Sequence, residues 1–140
     1  MTTLEDLRET LMAVDITREV LSAIGRTSKE YINLNKDQLL DGKRADGSNM
    51  PNYSYISQTV FGKPDAPIML YDTGAFHESM KLDVGGDELE ILAEDVHGLE
   101  DRFGNEIYGL GDTNQEFYNQ DIFFPELMEA IEALTGLKSN

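Results

Sequence analysis

Met80-Lys81-Leu82-Asp83-Val84-Gly85-Gly86-Asp87-Glu88-Leu89-Glu90-Ile91-Leu92-Ala93-Glu94 is the stretch on which the fold class turns. Met80, Leu82 and Val84 alternate with Lys81 and Asp83; after Gly85-Gly86-Asp87, Leu89, Ile91 and Ala93 alternate with Glu88, Glu90 and Glu94. A period of two with a glycine-rich break predicts an antiparallel hairpin with one apolar face and one acidic face. Ala66 to Tyr71 is expected to add a strand, held to an edge by Pro67. Ten of the twelve glycines and three of the four prolines fall between Gly42 and Gly111, the mark of short strands and turns.

On either side of this centre the period changes to that of a helix. Leu4, Leu7, Leu11 and Val14 recur at spacings of three and four behind a Thr2-x-x-Glu5 capping box. Val20, Leu21 and Ile24 predict a second short helix ending near Gly25. Thr27-x-x-Glu30 opens a third, running through Tyr31 and Ile32 to Leu39 and Leu40, with Gly42 as its stop. Towards the other end, Thr113-x-x-Glu116 starts a helical turn. Pro125 suits a first helical position, with Leu127, Ile131 and Leu134 on one apolar face. The expected architecture is α+β: N-terminal helices, a small antiparallel sheet with a central hairpin, and a C-terminal helix. The 140 residues are expected to form one domain, divided into a helical arm (1–41), a β-rich centre (42–111) and a C-terminal helical segment (112–140).

Composition narrows the function. Hydrophobic residues are 40% and charged residues 27%, which suits a folded chain. No apolar run approaches the ~20 residues of a membrane span, and MTTLEDLRET is acidic where a signal peptide would be basic. The absence of cysteine excludes disulfides, thiolate catalysis and Cys-based zinc sites, and a cytosolic setting is expected. The formal net charge is −16. Residues 1–81 carry nine basic and twelve acidic side chains, whereas residues 82–137 carry Arg102 against fifteen acids. A phosphate-backbone binder needs Lys and Arg to release counterions, so direct nucleic-acid binding is not expected.

Searching for chemistry gives little. Nucleophile–base catalysis by His77 or His97 needs a hydroxyl in reach; Ser79 lies two residues from His77, but no G-x-S-x-G elbow frames it. His97, Glu100 and Asp101 lack a zinc-site spacing. Calcium loops starting at Asp41 or Asp112 fail, the first with Lys43, Ala45 and Asn52 at ligand places and the second with Phe117 where glycine is required. The phosphate loop is absent, and Gly109-Leu110-Gly111 has Asn114 where a dinucleotide fingerprint needs glycine. No catalytic residue, cofactor or metal ligand is assigned, and an enzyme is not expected. Phe117, Tyr118, Phe123 and Phe124 crowd into eight positions; they are expected to divide between the core, where the last helix docks, and a candidate partner interface, with at least one exposed.

Three segments carry a resemblance. They are Asp46-Gly47-x-x-Met50-Pro51-x-Tyr53-Ser54 with Thr59 and Lys63; Leu70-Tyr71-Asp72-Thr73-Gly74-x-Phe76-x-x-Ser79; and Leu99-x-x-Arg102-Phe103-Gly104-x-x-Ile107-x-Gly109-Leu110. In this order and spacing, Gly42 to Leu110 resembles the phage virion-morphogenesis, or tail-completion, family of head–tail joining proteins. The resemblance implies a virion structural protein at the head–tail junction, made in the host cytoplasm. Its partners would be portal, neck or tail proteins and further copies of itself in a ring. Asp72, Thr73, Gly74, Phe76 and Ser79 then have scaffold roles, capping and turning a short helix. Asp83, Glu88, Glu90 and Glu94 on the outward face of the hairpin are the candidates to line the DNA passage or else to meet a basic partner, the plain reading of the same acids being a solvated face that aids solubility. The alternative, drawn from the acidity alone, is a DNA-mimic inhibitor of a basic host protein.

Overall fold

A computed structural model describes residues 3–12, 16–70, 74–85 and 88–136. Helices α1 (Leu4–Met12), α2 (Ile16–Arg26) and α3 (Ser28–Leu40) come first; α4 (Tyr55–Val60) and α5 (Ala75–Ser79) follow. Strands β1 (Lys81–Gly85) and β2 (Glu88–Leu92) form a two-stranded antiparallel sheet. After α6 (Leu99–Phe103) and a 3-10 turn (Asn105–Ile107), the chain ends in α7 (Asp112–Phe117), a π-turn (Tyr118–Phe123) and α8 (Phe124–Thr135). The fold is α+β, with helices ahead of a small hairpin sheet and a helix closing the chain.

The hairpin register pairs Leu82 with Ile91 and Val84 with Leu89 on one face, and Asp83 with Glu90 and Gly85 with Glu88 on the other. Its apolar face joins the core through Leu82 and Ile91. Gly86 and Asp87 lie outside the described residues. The strand expected at Ala66 to Tyr71 does not form over its described part; Pro67 makes one isolated bridge to Asn52. Proline supplies no N–H for a ladder, and Leu70, at φ 56°, leaves the extended region altogether.

Capping differs in detail from expectation. At the start of α1 the reciprocal pair is Thr3 and Asp6: the Asp6 N–H donates to Thr3 Oγ1 (3.0 Å), and the Thr3 N–H to Asp6 Oδ2 (3.2 Å). Thr2, Val14 and the side chain of Leu11 lie outside the described residues, and Leu4 is exposed. Thr27 precedes α3 but does not cap it. Its hydroxyl turns back onto the last turn of α2, donating to the Ala23 carbonyl at 2.8 Å, and meets Tyr118 Oη at 2.7 Å. Gly42 stops α3 as expected from its sequence. Its φ is +72°, its N–H donates to the Leu39 carbonyl, and a Cβ there would overlap Pro67.

At the other end, α7 begins after Gly111, with Thr113 inside the helix rather than before it. Pro125 does not interrupt the run. A proline in a helix clashes with the carbonyl four residues earlier, here Asp121, and the widened π-turn over 118–123 lies where that clash would fall. On α8, Leu127 is buried and Ile131 half-buried, but Leu134 is exposed. The main core gathers Ile32, Leu39, Met50, Leu70, Phe76, Met80 and Ile107, drawn from α3, α5, the 3-10 turn and the loops between them, with none from α4.

Candidate functional site

The three segments singled out in the sequence converge on this core. Asp46 to Ser48 make a tight turn. Asp46 Oδ1 accepts from the Ser48 N–H (2.9 Å) and hydroxyl (2.5 Å), which hold its carboxyl below the usual carboxylate range. Met50 is buried behind it. Ser54 caps α4 by accepting from the Ser57 N–H at 3.1 Å. The Tyr53 hydroxyl accepts from the Met69 N–H (3.4 Å), and Lys63 stands over the Tyr53 ring at 5.6 Å.

Gly74, at φ +85°, precedes α5 in the left-handed conformation, and its carbonyl accepts from the Glu78 N–H. Phe76 is buried in the core. Ser79 donates to the Phe76 carbonyl at 2.7 Å and accepts from the Glu94 N–H at 2.8 Å, tying the end of α5 to the chain leaving β2. Asp72 and Thr73 lie outside the described residues. His77 is buried and engages the Met69 carbonyl through Nε2 at 3.0 Å, which makes Nε2 the protonated nitrogen. Burial holds its pKa below the usual histidine value, although the Met69 contact works the other way.

Residues 107–111 are held by two side chains that the sequence reading did not single out. Asn35 donates to the Ile107 carbonyl (3.0 Å) and accepts from the Gly109 N–H (2.9 Å). Gln38 donates to the Gly109 carbonyl (3.1 Å), and its Oε1 accepts from the Gly111 N–H (2.7 Å) and from Asn114 (3.3 Å). Both are buried amides on the inward side of α3. Their signal was available: Asn35 and Gln38 stand at helical spacing within the row that holds Ile32 and Leu39. A buried amide with both ends satisfied acts as a clip between helix and loop.

The four clustered aromatics divide. Tyr118 is 4% exposed, edge-on to Tyr31 at 5.1 Å between centroids, and so belongs to the interior rather than to a partner interface. Burial pushes its hydroxyl pKa up, against the Thr27 hydrogen bond. Phe123 is half-buried beside it, while Phe117 and Phe124 are exposed. Asp83, Glu88 and Glu90 share one exposed face of the hairpin, Asp83 directly opposite Glu90; Glu94 is exposed just beyond the strand. Like charges at paired positions oppose hairpin formation slightly, so this row is held by the apolar face beneath it.

A run of exposed apolar side chains lies elsewhere. On α4 and its end, Tyr55 is 80% exposed, Ile56 66%, Val60 69% and Phe61 70%, and no residue of the helix is buried. Tyr55-Ile56 and Val60-Phe61 bracket the helix as two apolar pairs in the sequence. Contiguous exposed apolar surface of this kind marks interaction sites. A polar recess of 390 Å³ between loop 41–47 and the start of α7 mixes Lys43 and Arg44 with Asp41, Asp46 and Asp112. Among the described residues no group of His, Asp and Glu gathers closely enough to hold a metal ion. No helix in the described residues is long and apolar enough to cross a membrane.

No family model matches the chain, and no solved structure does. Over 79 residues, 55% of this chain, it is 33% identical to the uncharacterized protein YhzB of Bacillus subtilis strain 168. The chain spans 38% of the length of that relative, whose name assigns no activity.

Proposed function

We propose that the chain is a virion structural protein at the phage head–tail junction, a tail-completion or neck-ring component that joins portal-side and tail-side proteins. The observation that carries this reading is the order and spacing of the segments 46–54, 70–79 and 99–110, which resemble the head–tail joining family. Their geometry supports a building part: Ser54, Gly74 and Ser79 cap, turn and tie the backbone, and His77 bonds a carbonyl rather than the Ser79 hydroxyl. The exposed apolar arm at α4 supports assembly with other proteins.

In this reading the row Asp83, Glu88, Glu90 and Glu94 faces the DNA passage. Its negative field, reaching roughly 8–10 Å at physiological salt, keeps DNA from adhering to the wall. The same exposed carboxylates support the second reading, a DNA mimic that occupies a basic cleft. Gold-labelled antibody against the chain, applied to phage particles purified from induced cells that carry its gene, separates the two. Label at the neck is the expected result. Particles without the chain, together with capture of a basic nucleic-acid-binding protein from the host, would replace the first reading by the second.

A further inference from the structure

The hairpin sheet ends in an unpaired edge. β2 bonds to β1 along one side, and among the described residues no strand pairs with its other side. Helices α2 and α3 pack on β1, which leaves β2 as the outer strand. In an antiparallel pair, alternate residues turn their N–H and C=O away from the partner strand. No described backbone group bonds to those that β2 turns away from β1. The apolar face is also open here: Leu89 is 48% exposed, although its cross-strand partner Val84 is half-buried. We infer that β2 takes a third strand from a partner protein, an extended segment in which lysine or arginine alternates with aliphatic residues.

The pattern of β2 chooses that occupant. Glu88 and Glu90 stand exposed on one face of the strand, with Leu89 and Ile91 on the other. Neighbouring strands set the side chains of one face beside each other, where opposite charges attract and like charges repel. A strand beside β2 therefore needs basic residues next to Glu88 and Glu90, and aliphatic ones next to Leu89 and Ile91. The aliphatic side chains widen the apolar face and cover Leu89. This chain's own strands do not fit. A second β2 sets Glu against Glu, and a second β1 brings Asp83, which offsets Lys81, the single basic residue within 81–92. Charges of one sign on an open edge keep it from pairing with its own kind. Strand addition then draws affinity from main-chain bonds and specificity from alternate side chains.

The inference concerns the edge of the sheet and rests on neither reading of where its acidic face looks. The full chain is titrated against a fluorescein-labelled heptapeptide that alternates lysine with valine, and binding is followed by fluorescence anisotropy. A second peptide has the same composition with its lysines together at one end. The alternating peptide is expected to bind at least about 10-fold more tightly, because only alternation puts every charge on one face of a strand. On binding, hydrogen exchange should slow at the β2 amides that face away from β1.

The double variant Glu88→Lys/Glu90→Lys keeps the backbone edge and reverses its charge. Both side chains are exposed, so the fold is expected to survive. The variant should bind the lysine–valine peptide at least about 10-fold more weakly and take a peptide alternating glutamate with valine instead. Equal binding of the alternating and block peptides by the parent overturns the inference, since net charge alone then accounts for the attraction. Unchanged exchange in β2, or no binding at about 1 mM peptide, overturns it as well. So does a variant that binds the lysine–valine peptide as the parent does, because the site is then not β2. The neck label on particles judges the head–tail reading separately.

Discussion

The clip on residues 107–111 and the arm at α4 handle exposed chemistry in opposite ways. At the clip, two buried amides and the backbone they hold satisfy one another, and Ile107 and Asn35 are entirely shielded from water. At the arm, a six-residue helix and the Phe61 that follows it carry four large apolar side chains into solvent, and the helix buries none of its residues. An isolated helix that short is unstable in water. Its persistence rests on the Ser54 cap, the Gln58 amide donating to the Tyr53 carbonyl (2.8 Å), and the Lys63 N–H donating to Ser57. Polar bonds hold the arm's backbone, leaving its apolar side chains unspent. The clip serves the fold, and the arm is the part the fold does not need.

That contrast can be broken where the two regions meet. Gly42→Val forces a β-branched residue to φ +72° against Pro67, the residue that returns the arm to the core. The expected loss is about 3 kcal/mol or more, read as a lowered melting temperature. Asn35→Leu leaves the Ile107 carbonyl and the Gly109 N–H buried without their partner. A loss of about 2–4 kcal/mol in urea unfolding is expected; a change below 0.5 kcal/mol, on the order of a surface substitution, would show the clip to be dispensable. Gly74→Val, with φ +85° in the parent, should cost about 1–3 kcal/mol. A variant that melted like the parent yet failed in particle assembly would move Gly74 from scaffold to contact surface.

His77 gives the contrast a pH dependence. Its pKa is lowered in the folded protein, so unfolding takes up protons on this group as acid is added. The stability it contributes is complete above the unfolded value near 6.5 and is lost as pH falls from there towards the folded pKa. Melting curves at pH 7.5 and 5.5 should therefore diverge less for His77→Phe than for the parent. The smallest stability effect belongs to the arm: Ile56→Asp should change the melting temperature by the equivalent of no more than about 0.5 kcal/mol. A large loss would place Ile56 in the fold and remove the contrast.

How much could be read beforehand follows the physics of each part. The hairpin was legible because alternation over Leu82, Val84, Leu89 and Ile91 admits one register that buries a single face. Gly42 was legible because a stop needs a residue that tolerates positive φ. Thr27 misled because a Thr-x-x-Glu pattern says nothing of the hydroxyl's other options; Tyr118, 91 residues away in sequence, and the adjacent turn of α2 claimed it. The strand expected near Ala66 failed because its pattern was short and Pro67 withheld a donor. Of the candidate site, the scaffold roles of Gly74, Phe76 and Ser79 follow from residue type alone. The arm's apolar pairs stood in the sequence, but their exposure did not, because exposure is a property of what the rest of the chain fails to cover.

The clip also sets an order of events during synthesis. Asn35 and Gln38 find their partners 71 to 76 residues further along the chain. A ribosome therefore delivers α3 long before residues 107–111 emerge, and in that interval both amides have only water to bond. Contacts of such separation form late, after loop closure has been achieved by the strands between them. Nascent chains arrested before Ile107 should remain open to protease at α3, and protection should arrive abruptly once Gly111 has cleared the exit tunnel.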